Sequence, residues 1–192
     1  MIFHRSVDVP KLADYRQYRD PYLRPDFNYR CAYCLLHERF FLEADGGEID
    51  HHRPINPPRH VKEDFGRLVN EYSNLYWTCG KCNAVKANTW PTEEQQFAGF
   101  RFLDPCQDDH LDHWQAMPDG TLRPTSSVGM YTVRHIRLNR SFLIGIRKQI
   151  AERRQKIAQV RTMLATMSLD DSVRKRVEEV LSDDYLINDE LP

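Results

Sequence analysis

The chain predicts an α+β domain, and three observations carry that expectation. Two Cys-x-x-Cys pairs, Cys31/Cys34 and Cys79/Cys82, bracket short segments rich in β-branched and aromatic residues. Asp-Gly pairs at Asp45-Gly46 and Asp119-Gly120 are strong hairpin-turn signals. From Ser141 onward, Phe142, Ile146, Ile150, Ile157, Val160 and Leu164 fall at helical spacing, with arginines and lysines on the other faces.

Taken in order, residues 1–30 are rich in Tyr and Arg. Pro10, Pro21 and Pro25 limit them to a short helix near 11–19. The stretch 39–55 reads as a hairpin, with Phe40-Phe41-Leu42 leading into a turn at 44–47 and residues 48–52 returning. Residues 53–73 hold Pro54, Pro57 and Pro58 and no clear period, which makes them a long loop with one helical turn near 61–65. Loops of that length tend to be functional. Asn74–Thr78 reads as a strand and 81–89 as a helix stopped before Pro91. A second hairpin is expected between 111–117 and 121–124. Asn139 or Ser141 is the expected cap of the long helix, and Ser168 with Asp171 resembles a capping box for a final helix. The expected division is a lead-in at 1–30, a core at 31–91, an irregular hairpin segment packed on it at 92–138, and a helical extension at 139–192.

Composition excludes several classes. No apolar run in the 192 residues approaches the roughly 20 needed to span a bilayer, and MIFHRSVDVP has no signal-peptide apolar region, so a cytoplasmic location is expected. Eight Gly and 11 Pro exclude collagen-like and low-complexity chains. The net charge of −1 speaks against a nucleic-acid partner only as an average. Residues 134–176 carry 12 basic and 3 acidic side chains, while 177–192 carry 6 acidic and none basic. A basic helix of this kind is ordinarily a solvated face, but it is also a candidate phosphate-binding or docking surface.

Paired two-residue spacings let Cys31, Cys34, Cys79 and Cys82 reach one ion, and four thiolates complete a tetrahedron. Two disulfides are the alternative. Nothing points to an oxidising compartment, so structural zinc is preferred, with Cys106 a bystander. Between the pairs lie Asp50-His51-His52-Arg53-Pro54, Asn74-Leu75 and, in the following helix, Asn83 and Lys86. Without reference to any family, this is a strand ending in a carboxylate and imidazoles, beside a helix offering an amide and an ammonium. Asp50 and Asn83 oxygens can hold one hard divalent ion, and a neutral histidine beside them can take a proton from water.

The combination Cys-x-x-Cys, Asp-His-x-x-Pro, Asn-Leu and Cys-x-x-Cys-Asn-x-x-Lys resembles the zinc-containing HNH nucleases, whose core is a ββα-metal unit. The resemblance implies His51 as general base, Asn74 as the residue that orients its loop, and Asp50 with Asn83 as ligands of a catalytic Mg²⁺ or Mn²⁺. It further implies Lys86 and Arg53 as phosphate contacts, and DNA ahead of RNA as substrate. One departure from the family name is Asn83, which stands where the last histidine would be; asparagine is a known alternative there. Asp104-Pro105, Asp119-Gly120, Leu138-Asn139-Arg140 and Arg147 are similar to a subgroup associated with anti-phage systems of the retron and Septu kind. In that subgroup the nuclease works beside an ATPase.

Alternatives stand beside these expectations. In a shifted register His51 is the ligand and His52 the base, since neighbours on a strand face opposite ways. Asp108, Asp109, His110 and His113 read as a solvated polar edge rather than a second metal cluster. A zinc module that binds nucleic acid without catalysis, or an adaptor docking on an ATPase through its C-terminal helices, accounts for the same motifs.

Overall fold

The structure is a computed structural model, described over residues 1–42, 46–167 and 170–182. It is α+β, with two small antiparallel sheets among helices. The first helical stretch begins later than expected and runs through a proline. A 3₁₀ turn at Tyr15–Tyr18, a π turn at Arg19–Leu23 and helix α1 at Arg24–Asp26 follow one another. Pro21 has no N–H to close an ordinary turn, and the ladder widens until the Arg24 N–H reaches the Arg19 carbonyl.

The hairpin expected within 39–55 does not form. Glu38–Phe40 is a 3₁₀ turn, and strand β1 (Gly47–His51) pairs instead with β2 (Leu75–Cys79), placing Ile49 opposite Trp77 and His51 opposite Leu75. The reason lies in burial. Strand β2 is buried at all 5 positions, and Phe41 turns into the same core with its ring 6.3 Å from Trp77. Gly47 permits the pairing, because a Cβ there would lie 2.1 Å from the Trp77 ring. The first two residues of the expected turn at 44–47 lie outside the described residues.

Helix α2 (Gly80–Lys86) follows β2 without a loop, so Cys79 is both the last strand residue and the helix N-cap. Its sulfur accepts from the Cys82 N–H at 3.4 Å. The helix stops earlier than expected, at Ala87, whose φ of +46° breaks the helical run. Helix α3 (Glu93–Phe97), closed by a Thr92/Gln95 capping box, was not foreseen.

Of the second expected hairpin, only the turn-proximal half is strand. Residues His110–His113 form a short helix, α4, capped by the Asp109 carboxylate. β3 (Trp114–Ala116) and β4 (Leu122–Pro124) then pair across Asp119-Gly120, with Gly120 at φ +83° as the turn requires. Helix α5 (Ser127–His135) leads to the long α6 (Ser141–Thr166) and to α7 (Asp171–Ser182).

Helix α6 buries part of the expected face. Ile150 and Ile157 are inside and Ile146 packs on the core, joined by Leu143 and Arg147, whereas Phe142 is 56% exposed and Val160 38%. Arg147 turns inward because two carbonyls, Gly120 and Leu138, accept from its guanidinium at 2.9 and 2.7 Å. Neither Asn139 nor Ser141 is the cap; Arg140 holds that position. The Asn139 amide instead exchanges hydrogen bonds with both backbone groups of Leu122, extending the β4 edge. The Ser168 cap and residues 183–192 of the acidic tail lie outside the described residues. One hydrophobic cluster runs from Phe3 through Trp77 to Ile150 and joins the segments before α6 to its N-terminal half. Among the described residues no helix is long and apolar enough to cross a membrane.

Candidate active site and metal centre

The four cysteines converge. Cys31 and Cys34 sit in a tight turn in which the Cys31 carbonyl accepts from the Leu35 N–H, and Leu35 itself has φ +62°. Cys79 and Cys82 come from the β2–α2 junction. All four are free and buried, and their sulfurs lie within 4.8 Å of one another. Four sulfurs about 2.3 Å from a zinc ion stand about 3.8 Å apart at the edges of a tetrahedron. The 4.0 Å between the Cys34 and Cys79 sulfurs fits that shape without a disulfide. Arg140 donates to Cys82 Sγ at 3.3 Å, placing a cation against thiolates whose charge a single Zn²⁺ only half neutralises. Among the described residues no other group of three or more His, Cys, Asp and Glu donors lies so close together.

From this knuckle, β1, β2 and α2 form a ββα unit. A cleft of about 370 Å³ opens at its end, lined by Asp50, His51 and Asn83 together with Tyr15. Strand β1 ends on His51, whose Nε2 lies 2.9 Å from the Val69 carbonyl. A carbonyl only accepts, so Nε2 carries the proton and Nδ1 keeps the free lone pair. Burial holds the His51 pKa below its ordinary value. The ring is therefore neutral near pH 7, as a proton acceptor must be. Tyr15 packs edge-on against it at 4.8 Å, held by its own N–H to Asn70 Oδ1.

Asn74 orients the turn that follows. Its side chain accepts from the Arg53 N–H at 2.8 Å and donates to the Arg53 carbonyl at 3.1 Å. Its own carbonyl takes the His52 N–H. Three bonds from one residue thus lock the backbone immediately after His51.

Asp50 is buried on the other face of the strand. Its carboxylate accepts from the Tyr33 hydroxyl at 2.6 Å and from Lys86 Nζ at 2.9 Å. Lys86 has no exposed surface and also donates to the His51 carbonyl at 2.8 Å. It is therefore an internal clamp between α2 and β1, which corrects its expected place as a phosphate contact. A buried ammonium needs its partners more than a distant phosphate does. Asn83 donates its amide to the Glu48 carboxylate. That leaves Asn83 Oδ1, the atom a metal takes, without a protein partner among the described residues.

His52 and Arg53 face elsewhere. His52 packs on Tyr76 at 4.8 Å and on Trp90 at 5.6 Å, and it does not line the cleft of His51 and Asn83. Burial pushes its pKa well below the ordinary value. Arg53 is exposed, its guanidinium 5.8 Å from the Phe65 ring.

The Asp108–His113 group divides in a way the expected polar edge did not anticipate. Asp108 pairs with Arg101, and the Asp109 carboxylate caps α4. His110 is a fully buried core residue between the Met1 and Ala32 carbonyls, and His113 bonds to Ser126 Oγ. Tyr15 and Asn70 come from segments without a motif. Tyr33 lies inside the first Cys-x-x-Cys pair, Glu48 two residues before Asp50 on one strand face, and Arg140 in the Leu138-Asn139-Arg140 stretch, but their types gave none of them a part in the site.

No family model matches the chain. It is 24% identical over 148 residues to "Septu protein PtuA" of Bacillus mycoides (strain KBAB4), an alignment covering 68% of this chain and 20% of that protein. The chain thus spans about a fifth of the relative's length.

Proposed function

We propose that the chain is a metal-dependent endonuclease of the HNH kind, hydrolysing phosphodiester bonds of DNA in an anti-phage defence setting beside an ATPase partner. The observation that carries the reading is the cleft in which His51, with Nδ1 free, stands beside Asp50 and Asn83 at the end of a ββα unit. His51 Nδ1 takes the proton from a water that attacks phosphorus, and the 3′ oxygen leaves. Asp50 and Asn83 would hold a Mg²⁺ or Mn²⁺ ion, whose charge would stabilise the phosphate and the leaving oxygen. The donor oxygens are hard, as such an ion requires, but only Asn83 Oδ1 is open; the Asp50 carboxylate would have to add the ion to the bonds it accepts from Tyr33 and Lys86. Asn74 keeps the His51 loop in place and Arg53 contacts the phosphate backbone. Zinc in the four-cysteine knuckle has a structural role, since four thiolates leave no open position. The similarity to a Septu protein supports the defence setting.

A second reading is a zinc-stabilised nucleic-acid-binding or adaptor module without catalysis. The full engagement of the Asp50 carboxylate by Tyr33 and Lys86 favours it. A plasmid cleavage assay with Mg²⁺ or Mn²⁺ separates the two. Cleavage by the wild type that falls by about a hundredfold or more in His51→Ala is the expected result, as removal of a general base costs 10²–10⁴. Equal cleavage by both proteins sinks the assignment of His51. Binding without cleavage, alone and with the partner ATPase, establishes the second reading.

A further inference from the structure

A second cleft, of about 530 Å³, opens beyond the end of β1 and shares only Arg53 and Asn74 with the chemistry above. Its size falls within the range of ligand-binding pockets. Tyr76 and Phe102 are buried beneath His52 and Trp90, so the half-buried His52 and Trp90 rings, at 89° to one another, are the aromatic surfaces that an occupant reaches. The rim is polar and cationic. Arg53 has no carboxylate partner among the described residues, and Arg101 shares its guanidinium with Asp108. Gln107 has an exposed side-chain amide with no partner among the described residues. Gln96 offers Oε1, since its Nε2 already donates to the Pro91 carbonyl at 3.1 Å. Asp104 also lines the wall, but its Oδ1 accepts from the Tyr76 hydroxyl and the Cys106 N–H.

A half-buried indole beside amide groups and arginines is complementary to one kind of ligand. A base stacks on the Trp90 ring, its edge exchanges hydrogen bonds with the amides, and its phosphate meets the guanidinium groups. An aliphatic ligand would leave these polar groups unpaired, and a bare anion would not use the Trp90 ring. We propose that this cleft binds a nucleotide unit, a nucleobase together with its phosphate. Asn74 lines the cleft while its side chain holds the Arg53 backbone, so an occupant touches the same turn that fixes His51. The nucleotide has two sources. It is either a free mononucleotide or an unstacked nucleotide of a bound strand, and only the second rests on the nuclease reading.

The test is calorimetric titration of the full chain with deoxynucleoside monophosphates and with short single-stranded deoxyoligonucleotides. Saturable binding is expected, weakened about tenfold or more in Trp90→Ala, in line with the loss of one base–aromatic stack. Gln107→Glu, an exposed position where folding is not at stake, sets a carboxylate against the phosphate and is expected to weaken binding by a similar factor. Its unfolding temperature should be unchanged. Mononucleotides that bind and displace the oligonucleotide identify a free ligand; oligonucleotides that bind alone identify a strand-borne one. Absence of saturable binding to both probes, or equal affinities for wild type and both variants, overturns the proposal. His51→Ala keeps the two questions apart, since it should bind nucleotides like the wild type while losing cleavage. Wild type that binds nucleotides without ever cleaving DNA refutes the nuclease reading and leaves the cleft assignment standing.

Discussion

His51, the proposed proton acceptor, shows how little sequence such a role needs and how much structure. The bond from Nε2 to the Val69 carbonyl sets the tautomer, and burial lowers the pKa. The sign of the pH dependence follows. The proposed catalysis requires the neutral ring, which persists above the folded pKa and is lost as the pH falls through it. Because that pKa lies below the usual 6.5, the midpoint of the acid limb of cleavage should fall below pH 6.5. A pH–rate profile with its acid limb above 6.5 would contradict this. Lys86 and Asp50 form an ion pair with 0% and 3% of their side chains exposed. Lys86→Met leaves a buried carboxylate without its cation and should cost about 3–5 kcal/mol in urea unfolding, far more than an exposed pair. Replacing Asp50 and Lys86 together by apolar residues should restore much of that loss. Both residues were singled out from the motif. Their mutual bond was not legible, because 36 positions separate them and only the docking of α2 on β1 brings them together.

The elements were legible where their signals were local. The strand at β2, the helix after the second cysteine pair, the Asp119-Gly120 turn and the helix from Ser141 are each specified by residues within a few positions of one another. Pairing was harder to read. Phe40-Phe41-Leu42 has strand composition, yet β1 chooses β2, because a fully buried partner outweighs a nearby one. On α6, Ile150 and Ile157 are buried as their spacing predicts, but the burial of Arg147 was not legible, for a related reason. Arg147 is polar by type, but two carbonyls, from the β3–β4 turn and from Leu138, make its burial favourable. Gly47 is the position on which the sheet turns. Gly47→Ala drives a methyl into the Trp77 ring and should destabilise the protein by about 1–3 kcal/mol, as overpacking does. A thermal melt measures it; an unchanged midpoint would mean that Trp77 can move aside.

Across the whole molecule the cysteine cluster joins what the chain keeps apart. It ties the turn after α1 to the β2–α2 junction, and through Arg140 to the start of α6. Metal analysis should therefore find about one zinc per chain. Cys31→Ser combined with Cys34→Ser, or a strong chelator, should remove it and unfold the ββα unit, read as lost near-ultraviolet dichroism. A chelated protein that keeps its full signal would show that the apolar core suffices alone. The near-zero net charge conceals a basic 134–176 segment, but its surface is narrower than the count suggests, since Arg147 points inward and Arg140 lies against the cysteines.

By itself the sequence determined the α+β class, the four clustered cysteines and the identity of the residues around the candidate site, because each depends on spacing over a few positions or on side-chain chemistry that no fold alters. Tertiary structure alone decided which histidine faces Asn83, that Lys86 clamps rather than contacts, that β1 pairs with β2, and that an aromatic cleft with a cationic rim lies beyond the end of β1. Those outcomes depend on burial and on contacts between distant segments. The free energy of such contacts is set by what surrounds a residue, and local sequence does not contain it.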